Sequence, residues 1–273
     1  MTTAGVRGEG HLPVLMFHSI GRGASPDFQR WQVDPGLFRE QIDALAGAGY
    51  RLVGLSEALD GPDDRTVGVT FDDAYKDFVE AAGILRAAGC GATVYAPTRY
   101  VGGEAAWLPG PDAQLRIMDW SELAEVAAAG IEVGSHGHAH LEMDVLPAGR
   151  MRGDIALSRR ILSDSLGLTI RSFCYPHGYN SAATRAAVRA AGFDSACEVG
   201  FGLHTRQGDR FAVRRLIVTN DTRPQDMETL VRHGQGIPDS PARRAARIPW
   251  RLYRAGRYYA RTSGGRQVRA SGR

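Results

Sequence analysis

The sequence predicts an α/β fold with seven or eight parallel strands, and two observations lead to this prediction. Short apolar runs alternate with segments of helical periodicity from Val14 to His233. Polar residues suited to catalysis follow directly after several of those runs. Alternating strands and helices form parallel sheets with right-handed crossovers, and this number of units suits a (β/α) barrel. An open doubly wound sheet is the alternative, because periodicity does not distinguish the two.

Strands are predicted where short apolar or β-branched runs stand between turn residues. In chain order they are Val14–Phe17, Tyr50–Val53, Val67–Phe71, Ala92–Ala96, Ile131–Val133, Ser172–Tyr175, Ser195–Cys197 and Leu216–Val218. Such continuous apolar runs are typical of strands that are buried on both faces of a parallel sheet.

Helices are predicted where apolar residues recur every three or four positions. Pro35–Gly49 is the clearest case, since it has apolar residues on one face, an early proline and a late glycine. Asp119–Ala129 begins with a capping-box pattern formed by Asp119 and Glu122. The other helices are predicted at Tyr75–Ala88, Pro147–Leu166, Ala182–Ala191 and Pro224–His233. Residues 98–114 are rich in Gly and Pro and are predicted to form a long loop, a kind of segment that often carries function.

Charge is distributed unevenly over the chain. The formal net charge of the 273 residues is +3, but residues 241–273 contain ten arginines and no Asp, Glu or Lys. That tail is therefore +10, which leaves −7 for the remainder. An acidic body argues against a nucleic-acid-binding fold, so no nucleic-acid partner is expected. We predict an N-terminal extension (1–11), a catalytic domain (12–235) and an Arg-rich C-terminal tail (236–273).

The sequence predicts a cytoplasmic protein. The N-terminus lacks the basic start and long apolar core of a secretory signal, and no run reaches the roughly 18 apolar residues of a membrane-spanning helix. The three cysteines (Cys90, Cys174 and Cys197) are far apart, so they suggest neither a disulfide framework nor a thiolate zinc site.

Two adjacent aspartates, Asp72 and Asp73, directly follow the predicted strand VGVTF. Because adjacent residues that leave a strand point in different directions, one carboxylate can hold a cation while the other accepts a proton. An ordinary turn is the alternative interpretation, since Asp is common in turns.

A histidine pair follows the strand before SHGHAH. His136 and His140 are four residues apart, which on a helix would place both imidazoles on one face, with His138 out of phase. Two imidazoles and the Asp73 carboxylate would form a three-ligand site for Zn²⁺ with an open position. The spacing alone is weak support, because the chain has eight histidines and such a pair also arises by chance. A hydrolase built on this site also needs a base and an acid, for which Asp72 and His18 (after VLMF) are placed.

In combination these motifs resemble the polysaccharide deacetylase family, also called the NodB-homology domain. TFDDAY (70–75) is similar to the family motif TFDDG, EVGSHGHAHLEM (132–143) to its two-histidine motif, and FCYPHG (173–178) to FxYPYG. The resemblance implies an irregular, incomplete (β/α) barrel with about seven parallel strands. By position it implies Asp72 as catalytic base and Asp73, His136 and His140 as ligands of one divalent ion, Zn²⁺ with Co²⁺ or Ni²⁺ as alternatives. Tyr175, Pro176 and His177 are implied to form a wall of the substrate groove, with a backbone N–H for the oxyanion.

The order of the motifs resembles the circularly permuted branch that acts on poly-N-acetylglucosamine. VLMFH at the N-terminus then implies His18 as general acid, and GLFREQIDALAGAGYRLVGLSEAL and RFAVRRLIV are further shared stretches. The resemblance covers roughly residues 12–233. It implies that the chain removes the N-acetyl group from an N-acetylated sugar or glycan and releases acetate.

This chain departs from the family pattern at three positions. Ala74 replaces the usual Gly, and its Cβ would strain the turn if that turn needs a positive φ. Cys174 stands where many members carry an Arg beside the base, and His177 replaces the usual Tyr. A motif of the DxxDW type is also absent from the sequence.

Two other functions remain open. A different metal-dependent hydrolase of C–N or ester bonds would use the same residues, and groove shape would distinguish it. A catalytically inactive glycan-binding module is disfavoured, because all five candidate residues are present.

The basic tail (241–273) has three interpretations: a disordered segment, a segment docked on the acidic body, or a helix at a membrane surface. The third is suggested by arginines at three- and four-residue intervals with Trp250, Tyr253 and Tyr258 between them. Together with a cytoplasmic location, it suggests a lipid-linked or nucleotide-linked sugar as substrate.

Overall fold

The structure is a computed structural model that describes residues 10–61, 63–235 and 249–258. Most of the predicted N-terminal extension (1–11), and the tail residues 236–248 and 259–273, lie outside the described residues. The three-part division of the chain therefore stays a prediction.

The described residues form twelve strands and seven helices, with a further helix at 249–258. The strands are β1 (His11–Leu12), β2 (Val14–Phe17), β3 (Ser19–Ile20), β4 (Gln32–Val33), β5 (Arg51–Val53), β6 (Thr66–Phe71), β7 (Thr93–Ala96), β8 (Glu132–Ser135), β9 (Ser172–Cys174), β10 (Ser195–Cys197), β11 (His204–Thr205) and β12 (Leu216–Ile217). The helices are α1 (Pro35–Gly47), α2 (Leu55–Asp60), α3 (Phe78–Ala87), α4 (Trp120–Ala128), α5 (Ala148–Leu166), α6 (Ala182–Ala190) and α7 (Met227–His233). None of the described helices is long and apolar enough to span a lipid bilayer.

Eight of these strands form one parallel sheet that curls into part of a barrel. Its order is β10-β9-β8-β7-β6-β2-β12, and β5 pairs with the N-terminal half of β6. Strand β12, the last strand of this sheet along the chain, therefore lies beside β2, the first, as barrel closure requires. A doubly wound sheet instead reverses its strand order at a switch point. A single parallel bridge between Cys197 and Val213 links β10 to the segment that enters β12. The predicted incomplete (β/α) barrel is confirmed, and the open doubly wound alternative is wrong.

Alternate residues of each strand face two different cores. Leu15 and Phe17 of β2 pack under the helices in the larger cluster, whereas Val14 belongs to the smaller cluster inside the curl. Side chains alternate with a period of two, so the inward row of β2 ends at His18 and that of β6 at Asp72. This alternation places polar side chains at the mouth of the barrel.

Most predicted helices are present, with two differences. Helix α3 begins at Phe78 rather than at Tyr75, because Tyr75 forms an antiparallel β-bridge with Ile117 and the next two residues are in a turn. Helix α2 was not predicted, because its six residues are too short for a helical period to be seen.

Capping details agree with the sequence prediction. The side chain of Asp119 accepts from the backbone N–H of Glu122, and the Glu122 carboxylate accepts from the N–H of Asp119, so the predicted capping box of α4 is present.

The helix at 249–258 lies against the body of the protein through Arg254, which forms a buried ion pair with Asp144. Of the three interpretations of the tail, docking on the acidic body therefore describes residues 249–258.

Candidate metal and catalytic site

A pocket of about 520 Å³ opens at the C-terminal end of the parallel strands. The five residues predicted for metal binding and catalysis, namely His18, Asp72, Asp73, His136 and His140, all line it. They follow three strands, β2, β6 and β8, so the convergence comes from the sheet and not from nearness in sequence. The structure therefore brings all five together.

Asp73, His136 and His140 form a candidate metal-ligand set within this pocket. The Nε2 atoms of His136 and His140 lie 3.3 and 3.0 Å from Asp73 Oδ1, and all three side chains are buried. Their candidate ligand atoms lie within 4.8 Å of one another. This geometry is compact enough for one ion to contact all three.

The hydrogen bonding of His136 fits a metal ligand. Its Nδ1 lies 2.9 Å from the carbonyl oxygen of Cys174, which only accepts, so Nδ1 carries the proton. In the neutral ring, the Nε2 lone pair then points at the Asp73 carboxylate. Two electron-rich groups that face each other repel unless a proton or a metal ion lies between them. A bond from the other ring nitrogen to a backbone carbonyl is usual for metal-binding histidines.

Burial and neighbouring charge set the titration of these groups. Burial favours the neutral form of Asp73, but the two imidazoles outweigh it and hold its pKa well below the ordinary value. Burial lowers the pKa of His140. The pKa of His136 is raised in spite of burial, because it bonds to the Asp73 carboxylate. The site therefore offers a carboxylate with two imidazoles, the ligand types that Zn²⁺, Co²⁺ and Ni²⁺ accept.

The two histidines lie on a loop, so the helical arrangement considered for their four-residue spacing does not apply. Strand β8 ends at Ser135, and Gly137 and His140 have φ angles of 75° and 50°, so the segment is a loop. The carboxylate of Asp154, on α5, accepts from the backbone N–H groups of His138 (2.7 Å) and Ala139 (3.1 Å). A neighbouring helix thus holds the loop in the shape that brings the imidazoles together.

Asp72 has different partners from its neighbour Asp73. Arg215 Nη1 and Nη2 donate to its two carboxylate oxygens at 2.6 and 2.8 Å, and Arg215 is fully buried. Burial raises the pKa of Asp72, but the guanidinium outweighs that effect and lowers the pKa to about 2. Asp72 is therefore an ionised carboxylate in a fixed orientation at neutral pH.

Arg215 is a site residue that the sequence analysis did not identify. It lies in the shared stretch RFAVRRLIV, just before β12. The resemblance to the family instead places the arginine beside the base at the position of Cys174. Cys174 Sγ lies 3.1 Å from Arg215 Nη2 and 3.4 Å from Asp72 Oδ1, so the arginine reaches the same place from another strand. The available signal was a charged residue directly before an apolar strand.

A second group of possible metal ligands, Asp72, His136 and Cys174, is also compact. Arg215 bonds to both oxygens of Asp72, and its positive charge opposes a cation there. The geometry therefore favours the set that contains Asp73.

His18 stands half-buried in the pocket wall beside Trp31, with ring centroids 4.9 Å apart. Its Nδ1 has no hydrogen-bond partner within the described part of the chain. Burial lowers its pKa, although the charges of Asp72 and Asp73 act in the opposite direction. A buried imidazole nitrogen without a partner is unusual, which marks His18 as a candidate for a functional role.

Only one of the three predicted groove residues lines the pocket, and it is His177. Tyr175 is buried, and its hydroxyl donates to the carbonyl oxygen of Phe211 at 3.0 Å. Because Cys174 faces the inside of the curl, strand alternation turns Tyr175 toward the helices. Pro176 is also buried, so neither side chain lines this pocket, and the part of Tyr175 and Pro176 in the groove stays a prediction.

Aromatic side chains that the sequence analysis did not single out complete the pocket. Trp107, from the predicted long loop, stacks on the ring of His140 with centroids 4.4 Å apart. Trp31, Phe28 and Tyr179 also line the pocket. Aromatic side chains beside a few polar groups are typical of a small-molecule binding site.

Backbone strain is concentrated at this pocket. The described non-glycine residues with positive φ are Asp73, Ala74, His140, His177 and Phe201. Four of them line the pocket, and Ala74 adjoins Asp73. Strained conformations of this kind cluster at functional sites, and the turn at Ala74 does need a positive φ, the condition under which its Cβ is strained.

A larger cleft, of about 810 Å³, lies elsewhere, and its lining includes Arg51 and Glu132, the first residues of β5 and β8. The Glu132 carboxylate already accepts bonds from Ser56, Thr93 and Ser172. Its acidic group is therefore satisfied within the protein, and the reactive groups lie in the smaller pocket.

Comparison with known proteins identifies the family. Residues 60–196 match the family model described as polysaccharide deacetylase. The chain belongs to the polysaccharide deacetylase family. The matched range contains Asp72, Asp73, His136, His140 and His177, whereas His18 and Arg215 lie outside it. Family membership supports a hydrolase that deacetylates a carbohydrate.

Individual relatives agree with this assignment. A polysaccharide deacetylase candidate from Bacillus subtilis (strain 168), YxkH, is 25% identical over 215 residues, which cover 76% of this chain and 71% of that protein. The Streptococcus pyogenes deacetylase PplD, solved with acetate, has a TM-score of 0.70 at 21% identity and covers 81% of this chain and 98% of its own. IcaB from Ammonifex degensii has a TM-score of 0.67 at 24% identity, and the match covers 80% of this chain and 96% of the IcaB chain. These structures share the fold of this chain.

Proposed function

We propose that this protein uses a divalent metal ion to remove the N-acetyl group from an N-acetylated sugar or glycan, releasing acetate. The observation that carries the proposal is the buried convergence of Asp73, His136 and His140 beside the ionised Asp72. The fitting ion is Zn²⁺, with Co²⁺ or Ni²⁺ as alternatives.

Each residue of the site has a role in this proposal. Asp73, His136 and His140 hold the ion, which when bound supplies Lewis-acid activation of water and of the acetamide carbonyl. Asp72, held by Arg215, accepts a proton from the attacking water, and His18 donates a proton to the departing nitrogen.

The groove supplies binding and charge stabilisation. A backbone N–H near His177 donates to the carbonyl oxygen as negative charge develops on it. The ring faces of Trp31 and Trp107 pack on the sugar and exclude water from the reacting atoms. The proposed partner is thus an N-acetylated carbohydrate, met in the cytoplasm and carried on a lipid or a nucleotide.

Acetate release from N-acetylated substrates, with formate release from a formylated amine, tests the proposal. The panel holds short chito-oligosaccharides, a UDP-N-acetyl sugar, a lipid-linked N-acetyl sugar and a formylated amine, each with and without a chelator. We expect chelator-sensitive release of acetate from at least one sugar. Turnover of the formylated amine alone, or equal rates with chelator, would contradict the proposal.

A further inference from the structure

The helix at 249–258 is attached to the protein by polar and charged side chains. Arg254 is 4% exposed and donates to both carboxylate oxygens of Asp144 at 2.7 and 2.8 Å. Arg251 donates to the carbonyl oxygen of Asp144, and the hydroxyl of Tyr258 accepts from Arg150. The face that meets the body is therefore formed by Arg251, Arg254 and Tyr258.

The outward face of the same helix carries large apolar side chains. Leu252 is 69% exposed and Tyr253 is 55% exposed, while Trp250, at the edge of this face, is 47% exposed. Tyr253 stacks on Trp250 with ring centroids 5.4 Å apart, and the guanidinium carbon of Arg257 lies 5.8 Å from the centroid of the Tyr253 ring. A surface helix normally buries its apolar stripe and exposes its charges, so this helix has the reverse arrangement.

This exposure is concentrated in one region of the described surface. Six large apolar side chains are exposed among the described residues, and Trp250, Leu252 and Tyr253 are three of them. A fourth, Phe201, lines the catalytic pocket. Contiguous apolar exposure of this kind marks an interaction site.

The helix lies next to the mouth of the pocket. Trp250 Nε1 donates to the hydroxyl of Tyr179 at 2.8 Å, and the guanidinium of Arg254 lies 3.6 Å from the centroid of the same ring. Tyr179 itself lines the pocket together with His177. Any partner that binds the outward face of this helix would therefore lie close to the opening of the pocket.

We propose that the helix at 249–258 binds the surface of a bilayer containing anionic lipids and thereby presents the pocket to an N-acetylated sugar carried on a lipid. Trp250, Leu252 and Tyr253 enter the interfacial region, and Arg257 lies among the headgroups. The lipid-carried substrate rests on the function proposed above, whereas binding of the helix to the bilayer does not.

Side-chain chemistry favours a bilayer over a glycan as the occupant. Leu252 is the most exposed of the three and has no ring face to stack on a sugar, but its aliphatic chain suits the acyl boundary. Trp and Tyr are enriched at membrane interfaces, and basic residues attract anionic headgroups. The arginine-only charge of residues 241–273 complements such a surface, whereas the remainder of the chain is acidic.

Vesicle co-sedimentation of the full chain tests the proposal, with Leu252→Glu/Tyr253→Glu as the test variant and Val79→Glu/Leu168→Glu as its control. The control removes two exposed apolar side chains from other parts of the surface. We expect the wild type and the control to bind vesicles of phosphatidylcholine mixed with phosphatidylglycerol. The test variant should bind at least about tenfold more weakly, because two apolar groups are lost and two repelled charges are gained.

Acetate release distinguishes this proposal from the proposed function. With a soluble chito-oligosaccharide, the test variant and the control should match the wild type. With an N-acetylated sugar on a lipid in the same vesicles, only the test variant should be slower. Loss of all acetate release with vesicle binding intact would overturn the function but leave the membrane surface in place.

Three results would overturn the membrane proposal. The first is a wild type that does not bind the anionic vesicles. The second is equal binding of the test variant and the wild type. The third is a test variant that binds vesicles normally but has a raised KM for the soluble oligosaccharide, which would make this face a glycan-binding surface.

Discussion

Asp72 and Asp73 are adjacent in the chain, yet their surroundings give them different chemistry. Asp72 continues the inward row of β6 and meets a buried guanidinium, whereas the positive φ of Asp73 turns its carboxylate toward the two imidazoles. A cation ligand and a proton acceptor are thereby separated by one peptide unit. This separation was predictable from the strand geometry, but the partners of each carboxylate were not.

Asp72→Asn tests the assignment of the base. The amide keeps the shape of the side chain but cannot accept the proton, so we expect normal metal content and a kcat lower by about 10²–10⁴-fold. Metal analysis of the purified variant and acetate release in saturating metal are the measurements. A near-wild-type rate under those conditions would show that another group is the base.

Arg215→Met tests the control of Asp72 by its partner. Burial raises the pKa of Asp72 and Arg215 lowers it, so removal of the charge leaves the effect of burial unopposed and the pKa rises above its present value of about 2. We expect the acid limb of the kcat/KM profile to move to higher pH, since the base is then protonated at higher pH. The protein should also lose about 3–5 kcal/mol of stability, because a buried carboxylate is left unpaired.

Arg215→Lys is the matched control for that change. It keeps the charge but loses the two-pronged contact, so its acid limb should lie between those of the wild type and Arg215→Met. Superimposable pH profiles for all three proteins would contradict the proposed role of Arg215.

His18→Ala tests the assignment of the acid. An amide needs a proton on its leaving nitrogen, whereas an activated aryl ester leaves without one. We therefore expect N-acetyl sugar hydrolysis to fall far more than hydrolysis of an aryl acetate by the same variant. Equal slowing of both reactions would indicate that His18 binds the substrate instead.

At the scale of elements, the metal site depends on a helix that supplies none of its ligands. The carboxylate of Asp154, on α5, accepts hydrogen bonds from two backbone N–H groups of the loop between His136 and His140. Its bonds fix the loop whose turns at Gly137 and His140 would otherwise be free to change.

Asp154→Ala should therefore weaken the metal site without touching a ligand. We expect metal affinity to fall by about 10–100-fold, the range found when supporting residues of metal sites are changed. Asp164→Ala is the matched control, because Asp164 is exposed on the same helix. The measurement is competition with a chromogenic chelator, and equal affinity of the two variants would exclude this role of Asp154.

Secondary structure was largely predictable because the strands of the eight-stranded sheet lie in apolar runs and most helices are long enough to show their own period. Strands β1, β3, β4 and β11 have two residues each, leave no such pattern and were not predicted. The departures occur where tertiary contacts decide the backbone. The loop at 136–140 is shaped by Asp154, and the late start of α3 follows from the β-bridge between Tyr75 and Ile117. Neither contact leaves a local pattern in the sequence.

At the scale of the whole molecule, the site is assembled from both ends of the catalytic domain. Strand β12 pairs with β2, which brings the segment containing Arg215 beside the one that ends at His18. Motifs supplied the five residues that converge, because their types and order resemble a family. Arg215, Trp107 and the helix at 249–258 were not assigned to the site, because only the folded chain brings them to it.

Zinc-edge anomalous diffraction from crystals grown with Zn²⁺ tests the central claim most directly. The account predicts one anomalous peak, about 2.0–2.2 Å from a carboxylate oxygen of Asp73 and from one ring nitrogen each of His136 and His140. The peak should be absent from crystals of His136→Ala grown in the same way. A wild-type peak bound to other residues, or no peak among these three, would contradict the account.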